Sequence, residues 1–216
     1  MALSKEYSDT MMPAGAKGTP NHAEKVMKYY SIATGDSSAE ISLLEGNSGL
    51  KVVYYNQGDA AWKSIPYSTS TIGQSGCGPT SMAICISTLS GKKITPRQTC
   101  QWAGSQGYYV KGAGSKHDVI PGLAKKYGVK CEGVGKNKPQ IIQALKTGKL
   151  VVAIMSAGHF TSGGHFIVLT GIKDGKITVA DCGSRQRTKQ TWSLDLIVNE
   201  SNSSASAGGP FWIISK

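Results

Sequence analysis

Long apolar stretches are missing from this chain of 216 residues. The longest candidate, Leu150 to Met155, is far shorter than the roughly 20 residues that a membrane-spanning helix needs. We therefore expect no membrane span. Residues 1–20 are polar and glycine-rich and lack the apolar core of a signal peptide, so either the protein is not exported by that route or a leader lies outside this sequence.

Acidic residues are scarce: 13 Asp and Glu face 24 Lys and Arg, which gives a net charge of +11. A basic balance favours anionic partners such as nucleic acid, an anionic cell wall or a membrane surface. The charges are scattered, however, and the local excess between Lys173 and Lys189 lacks the interleaved aromatic residues that stack on bases. We predict a solvated basic surface and no nucleic-acid site.

Cysteine pairing is also limited. The five cysteines are an odd number, so a complete set of intrachain disulfides is excluded. No Cys-x-x-Cys spacing is present, and we predict no metal site. Cys85, Cys100 and Cys131 stand among apolar or helical residues, which is typical of small buried side chains.

The sequence pattern changes near residue 50, which divides the chain into two parts. Residues 1–50 predict an extension with a loop and one helix from about His22 to Ala33, an arm or a propeptide remnant. Residues 51–216 predict one domain. Helix starts near Gly78-Pro79, Thr95-Pro96, Ser115 and Asn137 precede four strand-like runs: 149–156, 166–172, 177–180 and 211–214. This order predicts an α+β fold, with N-terminal helices packed against an antiparallel sheet.

Cys77 has surroundings that a structural thiol does not need. It lies where a glycine-rich loop meets a helix start, in the segment Gly76-Cys77-Gly78-Pro79. The free N–H groups and the positive end of the helix dipole favour a thiolate there, and the glycines let a substrate backbone approach. We interpret Cys77 as a nucleophile; the alternative is a buried cysteine that caps the helix.

A thiolate nucleophile needs a base, and two histidines stand together in the sequence. His165 opens the apolar run that follows it, so a strand would hold its backbone rigidly, whereas His159 lies in the preceding glycine loop. We therefore prefer His165, with His159 as the alternative.

Asp181 is the candidate that orients this histidine. A three-residue hairpin loop at Lys173-Asp174-Gly175 would set Asp181 diagonally across from His165 on the same face, with Cα atoms roughly 7–8 Å apart. A two-residue loop would turn Asp181 to the other face, so we predict the three-residue loop. The alternative for Asp181 is a carboxylate that caps the strand end.

These residues resemble a known peptidase family. The segments Tyr54 to Trp62, Gly76 to Ser81, Gly164 to Gly171 and Val179 to Asp181 are similar to the stand-alone branch of the bacteriocin-leader-processing cysteine peptidases. The resemblance covers about residues 52–181 and leaves the first fifty residues unexplained.

The resemblance implies a papain-like fold, hydrolysis of peptide bonds, and no metal or organic cofactor. It implies that Cys77 is the nucleophile, His165 the base and Asp181 the orienting carboxylate. The family also uses a glutamine amide to hold the oxyanion. That glutamine lies six residues before the cysteine in the leader-processing branch, but Thr71 stands there in this chain. Gln57 is our preferred donor, with Gln74 second.

The substrate stays open between a protein and a cell-wall peptide. The net charge of +11 suits contact with anionic wall polymers, such as those that accompany peptidoglycan, so we expect an extracellular or wall-associated protein. The competing hypothesis is a catalytically inactive papain-fold module that binds anionic envelope polymers or peptides. The sequence does not indicate an oligomeric state.

Overall fold

The computed structural model describes the backbone of residues 42–45 and the whole of residues 50–216. These residues belong to a compact unit that spans Glu40–Lys216. The helix predicted from about His22 to Ala33 lies outside the described residues. No helix in the described part of the chain is both long and apolar enough to cross a bilayer.

The helices begin and end close to the predicted signals. Asn137 caps one of them by accepting the Gln140 N–H, and Thr95 forms a capping box with Gln98 at the start of another. Ser115, which we predicted as a helix cap, instead lies in a short strand. In chain order the helices are α1 (Ile72–Ser75), α2 (Cys77–Ser90), α3 (Pro96–Ser105), α4 (Val119–Tyr127), α5 (Lys138–Lys146), α6 (Arg185–Thr188) and α7 (Leu194–Glu200).

The strands pair in an antiparallel manner throughout the main sheet, as predicted. The strands of the described residues are β1 (Ser42–Glu45), β2 (Lys51–Tyr54), β3 (Pro66–Tyr67), β4 (Ser70–Thr71), β5 (Tyr109–Val110), β6 (Gly114–Ser115), β7 (Lys130–Gly133), β8 (Leu150–Met155), β9 (His165–Lys173), β10 (Lys176–Ala180), β11 (Thr191–Trp192) and β12 (Phe211–Ser215). Six of these strands form the main sheet, in the order β11-β10-β9-β8-β12-β7. The others form two-stranded sheets, β1-β2, β3-β4 and β5-β6.

Helices cover both faces of the sheet. Alternate residues of β9 point to opposite faces, so the strand packs against a different helix on each side. Ile167 and Leu169 join a fully buried cluster with Ile141 of α5. Phe166 instead lies against Gly78 at the start of α2, where a Cβ on that glycine would be 3.3 Å from the phenyl ring. The α+β fold is therefore papain-like, with a helix that begins at Cys77 resting on the strand that begins at His165.

The turn between β9 and β10 corrects one prediction. Lys173 pairs with Lys176, so the loop contains two residues, Asp174 and Gly175, and the predicted three-residue loop is wrong. Both loop residues have positive φ, 50° and 74°. Asp-Gly is favoured in such a turn because its twist matches the twist of the flanking strands.

A bulge further along the same ribbon changes the register. Thr178 pairs with Gly171, whereas the next residue, Val179, pairs with Leu169. Thr170 of β9 is therefore the extra residue of a β-bulge. Beyond the bulge the pairing is the one that a three-residue loop would have produced, so the chain after β10 lies diagonally across from the start of β9.

Candidate active site

Two glycines allow helix α2 to begin at Cys77. A Cβ on Gly76 would lie 2.6 Å from the carbonyl oxygen of Ile72, and one on Gly78 would lie 3.2 Å from Cγ1 of Val119. Neither position therefore accepts a larger side chain without movement of its neighbours. Cys77 itself is partly exposed and lies at the positive end of the helix.

His165 connects the strand ribbon to the cysteine. It is the first residue of β9 and its side chain is 11% exposed. Its Nε2 donates to Oδ1 of Asp181 at 2.8 Å, which leaves Nδ1 for the sulfur of Cys77. The structure thus brings together the three residues that were predicted as nucleophile, base and orienting carboxylate.

Asp181 is fully buried, and both of its carboxylate oxygens accept hydrogen bonds. Oδ1 also accepts the N–H of Gly183 at 2.8 Å, and Oδ2 accepts Nε of Arg187 at 2.5 Å. Burial alone would raise the pKa of Asp181, but the hydrogen bonds and charges of His165 and Arg187 outweigh it and lower the pKa. The carboxylate is therefore ionised and fixed in orientation.

The cysteine and the histidine shift each other's pKa toward an ion pair. Burial opposes the thiolate, yet the hydrogen bond and charge of His165 prevail and lower the pKa of Cys77. Backbone N–H groups of Phe166 and Gly78 add to this effect. Burial likewise opposes the imidazolium of His165, but Asp181 and Cys77 raise its pKa to about 9. The lowered pKa of Cys77 and the raised pKa of His165 together favour an imidazolium–thiolate pair.

The other four cysteines have the opposite behaviour. Burial raises the pKa of every one of them, to about 11 in the case of Cys131. The pKa is also raised in Cys85, Cys100 and Cys182, all three of which are fully buried. Burial was predicted for Cys85, Cys100 and Cys131, and of these Cys131 is only partly buried. Cys77 is thus the one of the five cysteines whose pKa is lowered.

The two candidate oxyanion glutamines lie in different environments. Gln57 is 9% exposed, and its Nε2 donates to the carbonyl oxygen of Gly73, four residues before Cys77, at 2.8 Å. Gln74 is exposed and its Oε1 accepts the hydroxyl of Ser70 at 3.3 Å. Of the two, Gln57 is thus the one whose amide lies beside the backbone that leads into Cys77.

The segment around Gln57 holds the loop that contains Asp181. Tyr54 donates its hydroxyl to the carbonyl oxygen of Asp181 at 2.9 Å, and the Gln57 N–H donates to that of Cys182 at 2.7 Å. Trp62 donates its indole N–H to the carbonyl of Asn56 at 2.7 Å. These bonds fix the segment against the end of β10.

A cleft of about 560 Å³ opens beside Cys77. His117, Phe166 and Ser206 contribute to its walls. Nδ1 of His117 accepts the N–H of Ser206 at 3.0 Å, and burial lowers the pKa of this histidine, so it presents a neutral ring to the cleft. Another depression, of about 710 Å³, lies between Lys130 and Lys149 and contains none of the predicted site residues.

His159, the alternative base, does not reach this site. Its Nδ1 and its backbone N–H both bond the carboxylate of Glu200, and its side chain is 61% exposed. The choice of His165 from its rigid strand therefore agrees with the geometry.

Two neighbours of the site escaped the sequence reasoning. Arg187 was counted only as part of a basic surface, although it follows Asp181 by one short helical turn, α6, that Ser184 caps. Cys182 follows Asp181 directly and was given no role. The available signal for Cys182 was its position directly after a candidate catalytic carboxylate. For Arg187 it was a basic side chain six residues after the same carboxylate.

Comparison with known proteins places the chain in a family. The model of the Peptidase_C39 like family matches residues 49–207. The chain belongs to this family. The resemblance to bacteriocin-processing peptidases is thus confirmed at the level of the family. Membership of this family supports, in general terms, a cysteine peptidase.

Two solved structures of C39-type peptidases have a backbone fold similar to that of this chain. A putative C39-like peptidase from Bacillus anthracis has a TM-score of 0.49 and 17% identity over 82% of this chain and 98% of its own. The peptidase domain of Streptococcus ComA, a bi-functional ABC transporter of a quorum-sensing pathway, has a TM-score of 0.45 and 13% identity over 65% and 91%. Comparison with curated protein sequences gives no match.

Proposed function

We propose that this C39-like protein hydrolyses peptide bonds through Cys77, His165 and Asp181. The observation that carries the proposal is the position of His165, which bonds the buried carboxylate of Asp181 at 2.8 Å while it lowers the pKa of Cys77. A nucleophile, a base and a group that orients the base are the minimum for covalent catalysis.

The reaction begins with attack of the Cys77 thiolate on a peptide carbonyl in the cleft. The carbonyl becomes a tetrahedral oxyanion, which the N–H of Cys77 and the amide of Gln57 stabilise. The His165 imidazolium then gives its proton to the leaving amine, and the C–N bond breaks to leave a thioester on Cys77. His165, now neutral, takes a proton from water, and the resulting attack releases the carboxylic acid and restores the ion pair.

Asp181 contributes by holding the imidazole ring in the required orientation and by stabilising its protonated form. Its carboxylate stays ionised because Arg187 binds the oxygen that His165 does not use. The proton is therefore carried by His165 rather than by Asp181.

The substrate class that we propose is a protein or a cell-wall peptide in the bacterial envelope. The net charge of +11 supports contact with anionic polymers, and the cleft beside Cys77 is open enough for an extended peptide. A casein-cleavage assay run beside a peptidoglycan-digestion assay separates the two classes. Products from peptidoglycan alone would assign the wall peptide, and products from casein alone would assign a protein.

The test of the proposal is the Cys77→Ala variant, which removes the nucleophile with little change in volume. Turnover of whichever substrate the wild type cleaves should be lost, while the thermal unfolding midpoint stays within a few degrees. Undiminished turnover in this variant would refute the mechanism. An inactive wild type that still binds peptidoglycan would instead support the binding-module hypothesis.

A further inference from the structure

We propose that Cys182 is a positioning residue whose thiol sets the orientation of the Gln57 amide and so completes the site that receives the oxyanion. This inference rests on the proposed function and deepens it. Cys182 has no part in the triad, it is fully buried, and its side chain is placed among polar atoms rather than apolar ones.

Two hydrogen bonds connect Gln57 to Cys182. The backbone N–H of Gln57 donates to the carbonyl oxygen of Cys182 at 2.7 Å, and the sulfur of Cys182 donates to Oε1 of Gln57 at 3.4 Å. Both ends of Gln57 are thereby attached to the residue that follows Asp181. Any displacement of Cys182 would move the amide with it.

The carbonyl group of Gly73 determines which way the side-chain amide of Gln57 faces. A carbonyl oxygen accepts but cannot donate, so the Gly73 carbonyl, at 2.8 Å, requires the nitrogen end of the Gln57 side chain. The thiol of Cys182 is then a matching donor for the oxygen end. Within the described part of the chain, Cys182 supplies the hydrogen bond that Oε1 of Gln57 receives.

Other acceptors compete for the single thiol proton of Cys182. The sulfur also lies 3.5 Å from the carbonyl oxygens of Cys77 and Phe166 and, farthest of the group, 3.6 Å from the hydroxyl oxygen of Ser81. Phe166 already accepts the hydroxyl of Ser81 at 3.3 Å, and the carbonyl of Cys77 lies in the first turn of α2, where a backbone N–H one turn later is its partner. The amide oxygen of Gln57 is therefore the acceptor that needs this proton most.

Chemistry at the thiol supports the same role. Burial raises the pKa of Cys182 well above its usual value, so the sulfur keeps its proton wherever Cys77 has lost its own. The amide nitrogen of Gln57 carries two hydrogens, and the Gly73 carbonyl oxygen accepts only one of them. That hydrogen is the donor that we assign to the oxyanion.

The experiment compares two reactions of Cys77 that need no knowledge of the natural substrate. Acylation by p-nitrophenyl acetate passes through a tetrahedral oxyanion, forms an acetyl thioester and expels p-nitrophenolate. Alkylation by iodoacetamide displaces iodide at a saturated carbon and forms no oxyanion. Both rates are measured on the full chain at pH 7.5, and the rate of the Cys77→Ala variant is subtracted.

Cys182→Ala removes the donor, and Cys182→Ser keeps a hydroxyl donor in a similar volume. We expect Cys182→Ala to slow acylation about tenfold or more, since oxyanion donors contribute about 10²- to 10³-fold to catalysis, while alkylation changes less than about twofold. Cys182→Ser should recover most of the acylation rate. In a Gln57→Ala background, where the amide is already absent, Cys182→Ala should cost nothing further.

Equal losses in both reactions, normal acylation by Cys182→Ala, a serine variant no faster than the alanine variant, or additive losses with Gln57→Ala would each overturn the proposal. Failure of the proposed function has a different signature. In that case the wild type itself would show neither acylation nor rapid alkylation at Cys77.

Discussion

Removal of His165 should convert the most reactive cysteine of this protein into an ordinary one. In the wild type, His165 overcomes the burial of Cys77 and lowers its pKa. In His165→Ala only burial and the backbone N–H groups remain, and we expect a pKa no lower than the usual value of about 8.5–9.

The magnitude follows from the thiolate population. A thiol with a pKa of about 9 is ionised to roughly 1% at pH 7. Because the ion pair can at most keep all of Cys77 ionised, its loss lowers the thiolate population by up to about 100-fold. A more basic thiolate is intrinsically more nucleophilic, which recovers part of the loss. The net prediction is a rate of alkylation by iodoacetamide at pH 7 that is lower by about tenfold or more.

The assay follows alkylation by mass spectrometry of tryptic peptides, which identifies the modified cysteine. His159→Ala is the matched control, because His159 bonds Glu200 rather than a cysteine, and it should react at the wild-type rate. The reasoning is refuted if His165→Ala and the wild type react equally fast, or if the first cysteine to be modified is one other than Cys77.

Other predictions concern pH, the arginine and the glycines of the site. The rate of peptide hydrolysis should fall as pH rises through about 9, because His165 there loses the proton that the leaving amine needs. The rate of alkylation of Cys77 should persist above that pH. A parallel decline of both rates would contradict the ion-pair assignment. Arg187→Gln removes a positive charge from the orienting carboxylate and should move this alkaline limit to higher pH, whereas Arg187→Lys should leave it nearly unchanged, as the two pH profiles would show. Gly78→Leu should lower the free energy of unfolding by about 1–3 kcal/mol in urea denaturation because the new side chain meets buried neighbours, while Gly163→Leu, which has open space around its Cβ, should change it by less than about 0.5 kcal/mol.

The sequence was sufficient for the parts of the site that depend on local structure. Cys77 was recognisable because glycines and a proline mark the start of a helix, and His165 because an apolar strand follows it. The α+β order and the antiparallel sheet followed from the same local signals. Each of these features is decided by residues within a few positions of one another.

Long-range features were not accessible in the same way. The register beside Asp181 came out as expected, but through a bulge at Thr170 rather than through the predicted loop. Nothing in the residues around Thr170 distinguishes a bulge from a regular pair. Arg187 and Cys182 acquire their partners only when the segment after β10 folds back on α2 and on Gln57.

The central claim is that Cys77 breaks peptide bonds. The most direct test is incubation of the protein with a complex mixture of bacterial peptides, followed by mass spectrometry of the new N-termini. We predict new termini with the wild type that are absent with Cys77→Ala. The same set of termini with both proteins, or none with either, would contradict the account.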